Sequence, residues 1–191
     1  AGEKITQAAK IDIIDWGKLE KRTSIVGYPI LPLVEQLSEK VEGNFGQFCH
    51  WGATTQDIMD TADVLQIRKG LELLSKDLKS ISDALEKIVE DHIKTPMAGR
   101  THLQHALPIS FGYKASTWLS GIDRHHKRLE EIKKRIFNVS FFGAAGTLAS
   151  LGEDDGLKTQ SALAEELDLN VPDVSWHSIR DNFCEVTGWL A

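Results

Sequence analysis

From residue 57 to residue 93 the chain carries no proline, and its apolar residues keep to one helical stripe. Leu71, Leu74, Leu78, Ile81, Leu85 and Ile88 alternate spacings of three and four. Only an α-helix brings such positions onto one face, and a stripe this regular is the seam of a bundle or coiled coil. At 1.5 Å per residue the helix would run for about 55 Å before Pro96 stops it. A second stripe, Leu119, Ile122, Leu129, Ile132 and Ile136, marks another long helix. It should run from a first turn holding Pro108 to about Phe137, with Arg124, Lys127, Arg128, Glu130, Glu131, Lys133 and Lys134 on its wet face. No segment alternates apolar and polar residues as a strand would. The pattern predicts an all-α fold of long antiparallel helices forming part of an oligomeric bundle.

The shorter segments fit around these two. Residues 3–16 read as a helix ending at Gly17, and residues 20–28 as a loop beside a basic patch of Lys18, Lys21 and Arg22. A helix is expected over 29–41, with prolines tolerated in its first turn. A connection over 43–52 contains Phe45, Phe48 and Trp51. Short helices are expected over 156–168 and after Asp181. One helical domain should span 1–191, with N-terminal helices and a polar loop in 1–55 and the long helices and their connections in 56–191. Ala1-Gly2-Glu3 enters a helix without a cap, and Gly188-Trp189-Leu190-Ala191 stops on apolar residues. Both ends predict a fragment of a longer chain.

Charge narrows the partners. A formal charge of -6 disfavours nucleic acid and anionic membranes, which call for a basic face. No apolar run has membrane-spanning length, and the first residues are not a signal peptide. Two cysteines, Cys49 and Cys184, are too few for a disulfide framework and fit a reduced, cytoplasmic protein.

Two polar corners hold more chemistry than a connection needs. In the first, Thr54 and Thr55 fall at the start of the long helix, with Gln56 and Asp57 in its first turn. Helix capping would account for Thr55 and Asp57. Ligand binding would also account for two adjacent threonines behind the small pair Gly52-Ala53, where a guest can approach the backbone closely. In the second, Gly99 to Pro108, Thr101, His102, Gln104 and His105 lie where one helix stops and the next begins. A helix N-terminus favours anions, so this corner is expected to form one wall of a site for a carboxylate-bearing small molecule. The pairs His102/His105 and His125/His126 lack a cysteine or carboxylate at ligand spacing, so no metal is expected. His92, His125 and His126 read as solvated. The Gly-rich stretch 143–152 lacks the Gly-Lys-Ser/Thr ending of a phosphate loop. It is either a bend for close helix packing or a backbone turn facing a ligand.

His50-Trp51-Gly52-Ala53-Thr54-Thr55-Gln56-Asp57 with Asp60-Thr61-Ala62, followed by Gly99-Arg100-Thr101-His102-Leu103-Gln104, resembles the first two signature regions of the fumarase/aspartase superfamily. Within it, the run from Phe142 to Gly152 and Trp176-His177-Ser178-Ile179-Arg180-Asp181 are most similar to 3-carboxy-cis,cis-muconate cycloisomerase, with adenylosuccinate lyase next. Two positions depart from these patterns. His102 stands where many bacterial cycloisomerases have Trp, the lyase-like choice. Val26-Gly27-Tyr28-Pro29 lacks the histidine that adenylosuccinate lyases carry there.

The resemblance implies an enzyme without a cofactor that removes a proton beside a carboxylate and expels a group from the neighbouring carbon, or runs the reverse addition. The substrate implied is a small polycarboxylate, bound by a homotetramer whose subunits share each active site. By the same resemblance, Thr101 and His102 are catalytic, and His50, Thr54, Thr55, Gln56, Asp57 and Gln104 bind substrate. A third signature region, a serine-bearing loop of Ser-Ser-x-Met-Pro type, has no counterpart here. Neither Met59 nor Met97 lies in such a context, so the 191-residue piece alone is expected to be inactive. The competing class is a non-catalytic helical scaffold, in which the seam does all the work and the polar corners only cap helices.

Overall fold

The computed structural model describes residues 1–152 and 154–191. They form two compact units, each built from two chain segments: Ala1–Val64 with Asn138–Arg180, and Leu65–Phe137 with Asp181–Ala191.

The first unit opens with α1 (Gly2–Ala8), a 3-10 turn (Ile11–Ile13), α2 (Trp16–Val26) and α3 (Ile30–Lys40). Residues 20–28 are therefore mostly helix rather than loop, and no single helix spans 3–16. The caps explain it. The Asp15 side chain accepts from the Lys18 N–H at 3.0 Å, starting α2 one residue before Gly17. Gly27, at φ 94°, takes the left-handed turn that ends it. Arg22, from the basic patch, is held by Glu35 of α3 at 3.1 Å. A 3-10 turn (Gly43–Phe48) then leads to α4 (Thr55–Asp91), whose first residues, to Val64, belong to this unit. Its remaining helix is α6 (Asp155–Leu167), flanked by the loops 138–152 and 168–180.

The second unit holds the rest of α4, a hairpin of β1 (Pro96–Thr101) and β2 (Gln104–Ser110), α5 (Phe111–Ile136) and α7 (Asp181–Leu190). The Gly112 N–H donates to the His92 carbonyl, and farther along Ser82 Oγ meets Asp123. Farther still, Leu71 packs with Leu129, Ile132 and Ile136. Rising positions on α4 thus meet falling ones up to this point of α5, the antiparallel pairing that the two stripes predict. Val186 and Trp189 of α7 complete the core. Leu74 and Ile81 of the seam remain 37% and 45% exposed, so this chain alone does not cover the whole stripe.

Helices dominate, and the all-α class holds. The exception is the hairpin, which corrects the reading of 99–108 as a helix-to-helix corner. Pro108 pairs with Ala98 in the ladder instead of opening a helix. α5 begins after Ser110, whose hydroxyl caps it by accepting from the Tyr113 N–H at 3.1 Å. Two histidines expected in solvent are engaged. His125 stacks on Trp189 at 4.5 Å, and burial pushes its imidazole below the ordinary range. His92 meets Thr95 Oγ1 at 3.1 Å and the edge of Phe111. Among the described residues no helix is long and apolar enough to cross a membrane.

Leu129 is 0% exposed at the centre of the second core. Leu129→Ala in the full-length protein should lower unfolding free energy by about 2–5 kcal/mol. Denaturant titration checks this, and a loss below about 1 kcal/mol would displace Leu129 from that centre.

Candidate active site

The first unit gathers three separate stretches of chain around one carboxylate. Asp57, in the first turn of α4, is 0% exposed. Its Oδ1 accepts from the Phe142 N–H at 3.0 Å, from Ser140 Oγ at 3.3 Å and from His177 Nε2 at 2.7 Å. Its Oδ2 accepts from the N–H groups of Thr54 and Gly143, each at 2.9 Å. The loop after α5 and the stretch before α7 are thereby fastened to the start of α4.

The bond from Thr54 to Asp57 is one half of a capping box, in which the third helical residue reaches back to the cap's own N–H. The other half is missing. The Thr54 and Thr55 hydroxyls are not engaged by any described residue, although both side chains are partly buried. Capping therefore explains Asp57 and leaves the two threonines unexplained.

Neighbouring bonds stiffen the corner. Gln56 donates to the His177 carbonyl at 2.9 Å and to Asp60 at 3.2 Å. Arg180 grips Asp60 with two nitrogens, at 2.6 and 2.8 Å, and lies 5.2 Å over the Trp176 ring. The bonds to Asp60 hold the Arg180 guanidinium above its ordinary range, against the opposing pull of desolvation. Thr61 Oγ1 donates to the Ser140 carbonyl and accepts from the Ser140 N–H, both at 2.9 Å. The Gly-rich bend packs directly on the first loop: a Cβ on Gly143, at φ 72°, would lie 3.2 Å from the Gly52 carbonyl oxygen.

His50 is strained, at φ 63°, and its buried Nε2 has no hydrogen-bond partner. An orphaned buried nitrogen costs roughly 1–3 kcal/mol unless something binds it. Of the residues expected to touch substrate, His50, Thr54 and Thr55 thus offer unused polar atoms. Gln56 and Asp57 spend theirs on the protein.

Thr101, His102 and Gln104 lie in the second unit, at the tip of the hairpin. Thr101 pairs with Gln104, which leaves His102-Leu103 as a two-residue loop at φ 38° and 63°. Such loops favour Asn-Gly because both residues need positive φ. Here a histidine and a leucine bear the strain, and every residue from Arg100 to Pro108 is exposed. Among the described residues no group of three or more His, Cys, Asp or Glu side chains is placed to hold a metal ion.

Sequence reading missed His177 as a site residue. Its bond to Asp57 closes a separation of 120 positions, which no local pattern encodes.

The family model described as Lyase matches residues 4–191. The crystal structure of fumarate lyase from Mesorhizobium sp. BNC1 is 57% identical and superposes with a TM-score of 0.94, over 98% of this chain and 44% of that one. Trans-aconitate decarboxylase 1 of Mycosarcoma maydis is 44% identical over 100% of this chain and 38% of its own length. The 3-carboxy-cis,cis-muconate cycloisomerase of Pseudomonas aeruginosa is 40% identical over 97% of this chain and 41% of its own length. The chain therefore spans about two fifths of the curated relatives it matches.

Replacing Asp57 by Ala strands donors from three stretches of chain. Asp57→Ala should cost about 3–5 kcal/mol or more. Thermal melting of the full-length variant checks this, and an unchanged melting temperature would mean that the loops are held by other bonds.

Proposed function

This chain belongs to the lyase family of the fumarase/aspartase superfamily, and from that premise we propose that the full-length protein acts on a small polycarboxylate. The reaction is proton removal beside a carboxylate with elimination from the next carbon, or the reverse addition. In form it is closest to that of a 3-carboxy-cis,cis-muconate cycloisomerase. The observation that carries the site assignment is the pair of unengaged threonine hydroxyls at the start of α4.

The intermediate of such a reaction gathers negative charge on the carboxylate oxygens. Donors already aimed at those oxygens stabilise it more than they stabilise the substrate. Thr54 and Thr55 supply the hydroxyls, and the helix start adds its partial positive charge. His50 Nε2 binds a further substrate oxygen. His102 transfers or orients the proton, with Thr101 beside it and Gln104 holding a substrate oxygen. Gln56 and Asp57 serve by holding the loop. The hairpin acts within a homotetramer whose subunits share each site, which also gives cover to the exposed Leu74 and Ile81.

Two relatives are named for trans-aconitate and 3-carboxymuconate, both unsaturated tricarboxylates, which supports this substrate class. His102, the lyase-like choice, favours a second reading, a fumarate-releasing lyase of the adenylosuccinate type. An ultraviolet assay of the full-length protein separates the two. Loss of 3-carboxymuconate absorbance supports the first, and fumarate release from adenylosuccinate or argininosuccinate supports the second. Turnover of none of these would return the chain to the scaffold class.

Within the enzyme reading, His102→Ala should lower turnover about a hundredfold or more with folding intact. Thr55→Val should lower it by roughly a hundredfold as well, the usual effect of removing one oxyanion donor. Near-wild-type rates would remove either residue from the chemistry. Sedimentation should give tetramers, and a monodisperse full-length monomer would contradict the shared site.

A further inference from the structure

We propose that His177 is a second ligand-binding imidazole of this site, and that it binds a carboxylate of the substrate through Nδ1. The inference rests on the polycarboxylate reading and adds a residue to it.

The geometry fixes which ring nitrogen is left for a guest. Asp57 accepts at both oxygens from neighbouring N–H groups, so the nitrogen that meets Oδ1 must be the donor. Nε2 therefore carries hydrogen, and in the neutral ring Nδ1 carries the lone pair. Nδ1 has no partner among the described residues, and it is not among the fully buried orphan atoms as His50 Nε2 is. The side chain keeps 13% of its surface open. The ring is held in place: Phe142 meets it edge-on at 5.3 Å and 90°, and Gln56 fixes its backbone carbonyl.

Satisfying Asp57 does not by itself require a histidine, because four other donors already reach that carboxylate. What an imidazole adds over an amide is a second nitrogen that can take up a proton. A carboxylate docking at Nδ1 needs a hydrogen there. Binding to the neutral ring therefore draws one proton from solvent, and the imidazolium then lies between Asp57 and the guest. The charged groups tied to it are Asp57, bonded directly, and Asp60, which Gln56 links to the His177 carbonyl and with which Arg180 pairs.

The test uses the full-length protein and tricarballylate, a saturated tricarboxylate that cannot react. Calorimetry at pH 8 in phosphate and in Tris reads affinity and proton uptake together. His177→Gln keeps an amide donor for Asp57 and lacks Nδ1. It should weaken binding about ten- to a hundredfold and lose about one proton of uptake. Unchanged affinity and uptake overturn the role of His177 alone. Failure of the wild type to bind tricarballylate overturns the polycarboxylate reading with it. A measurement on the wild type covers the case in which the variant does not fold. Diethyl pyrocarbonate should modify His177 in the free protein, with at least several-fold protection by tricarballylate, read by peptide mass spectrometry. An unmodified or unprotected His177 overturns the proposal.

Discussion

The Asp57 carboxylate is the point from which the first unit takes its shape. A buried carboxylate is unfavourable unless its lone pairs are filled. Here they are filled by Thr54 at the same helix start and by two stretches about 85 and 120 positions farther along the chain, which converts a local cost into long-range order. The Gly-rich bend and the stretch before α7 cannot shift without stranding donors of their own. The start of α4 is thus held in place by these bonds.

That anchoring has a consequence for Thr54 and Thr55. In an ordinary helix start the cap hydroxyl is occupied by the backbone. Asp57 takes over the capping of the loop from the far side, and the hydroxyls are left unengaged. A sequence selected only for stability would close the box, since an open one gives up a cap of about 1 kcal/mol. The hairpin tip repeats the pattern. Positive φ at His102 and Leu103 costs energy that Asn-Gly would avoid. Both places suit chemistry better than a scaffold, and both fall within the two motifs that resemble signature regions.

What could be read in advance depended on how far each signal reached. The start of α4 was legible to within two residues, and α3 nearly to its ends, because apolar spacing and proline act locally. The hairpin was not legible for two reasons. Neither of its faces is buried from Arg100 to Pro108, so no alternation is imposed, and its turn lacks the usual Asn-Gly. α2 did carry its signals, Asp15 before it and Gly27 after it. With no residue buried, however, it has no stripe to mark it, and Gly17 in its first turn imitates a stop. In the site, residue types were readable and partners were not. Asp57 reads as a substrate ligand until the donors from Ser140, Phe142, Gly143 and His177 are found to occupy it.

The two sets of proposed site residues differ in stiffness, and the difference fits the proposed chemistry. Stabilising a developing charge requires donors that do not reorganise as the charge forms. The corner around Asp57 meets that requirement, since Gln56, Asp57, Asp60, Thr61, Ser140 and Arg180 are tied to their neighbours by hydrogen bonds. A proton-transfer residue has a different requirement: it must reach the guest and leave water outside. An exposed strand pair with Leu103 at its tip and Leu107 within β2, 103% and 81% open, can reach but cannot exclude water by itself. Closure then has to come from another surface, and in the proposed shared site a neighbouring subunit is that surface. The proposed tetramer and the proposed chemistry therefore stand together, because hydroxyl donors act at full strength on a developing charge only where water is excluded.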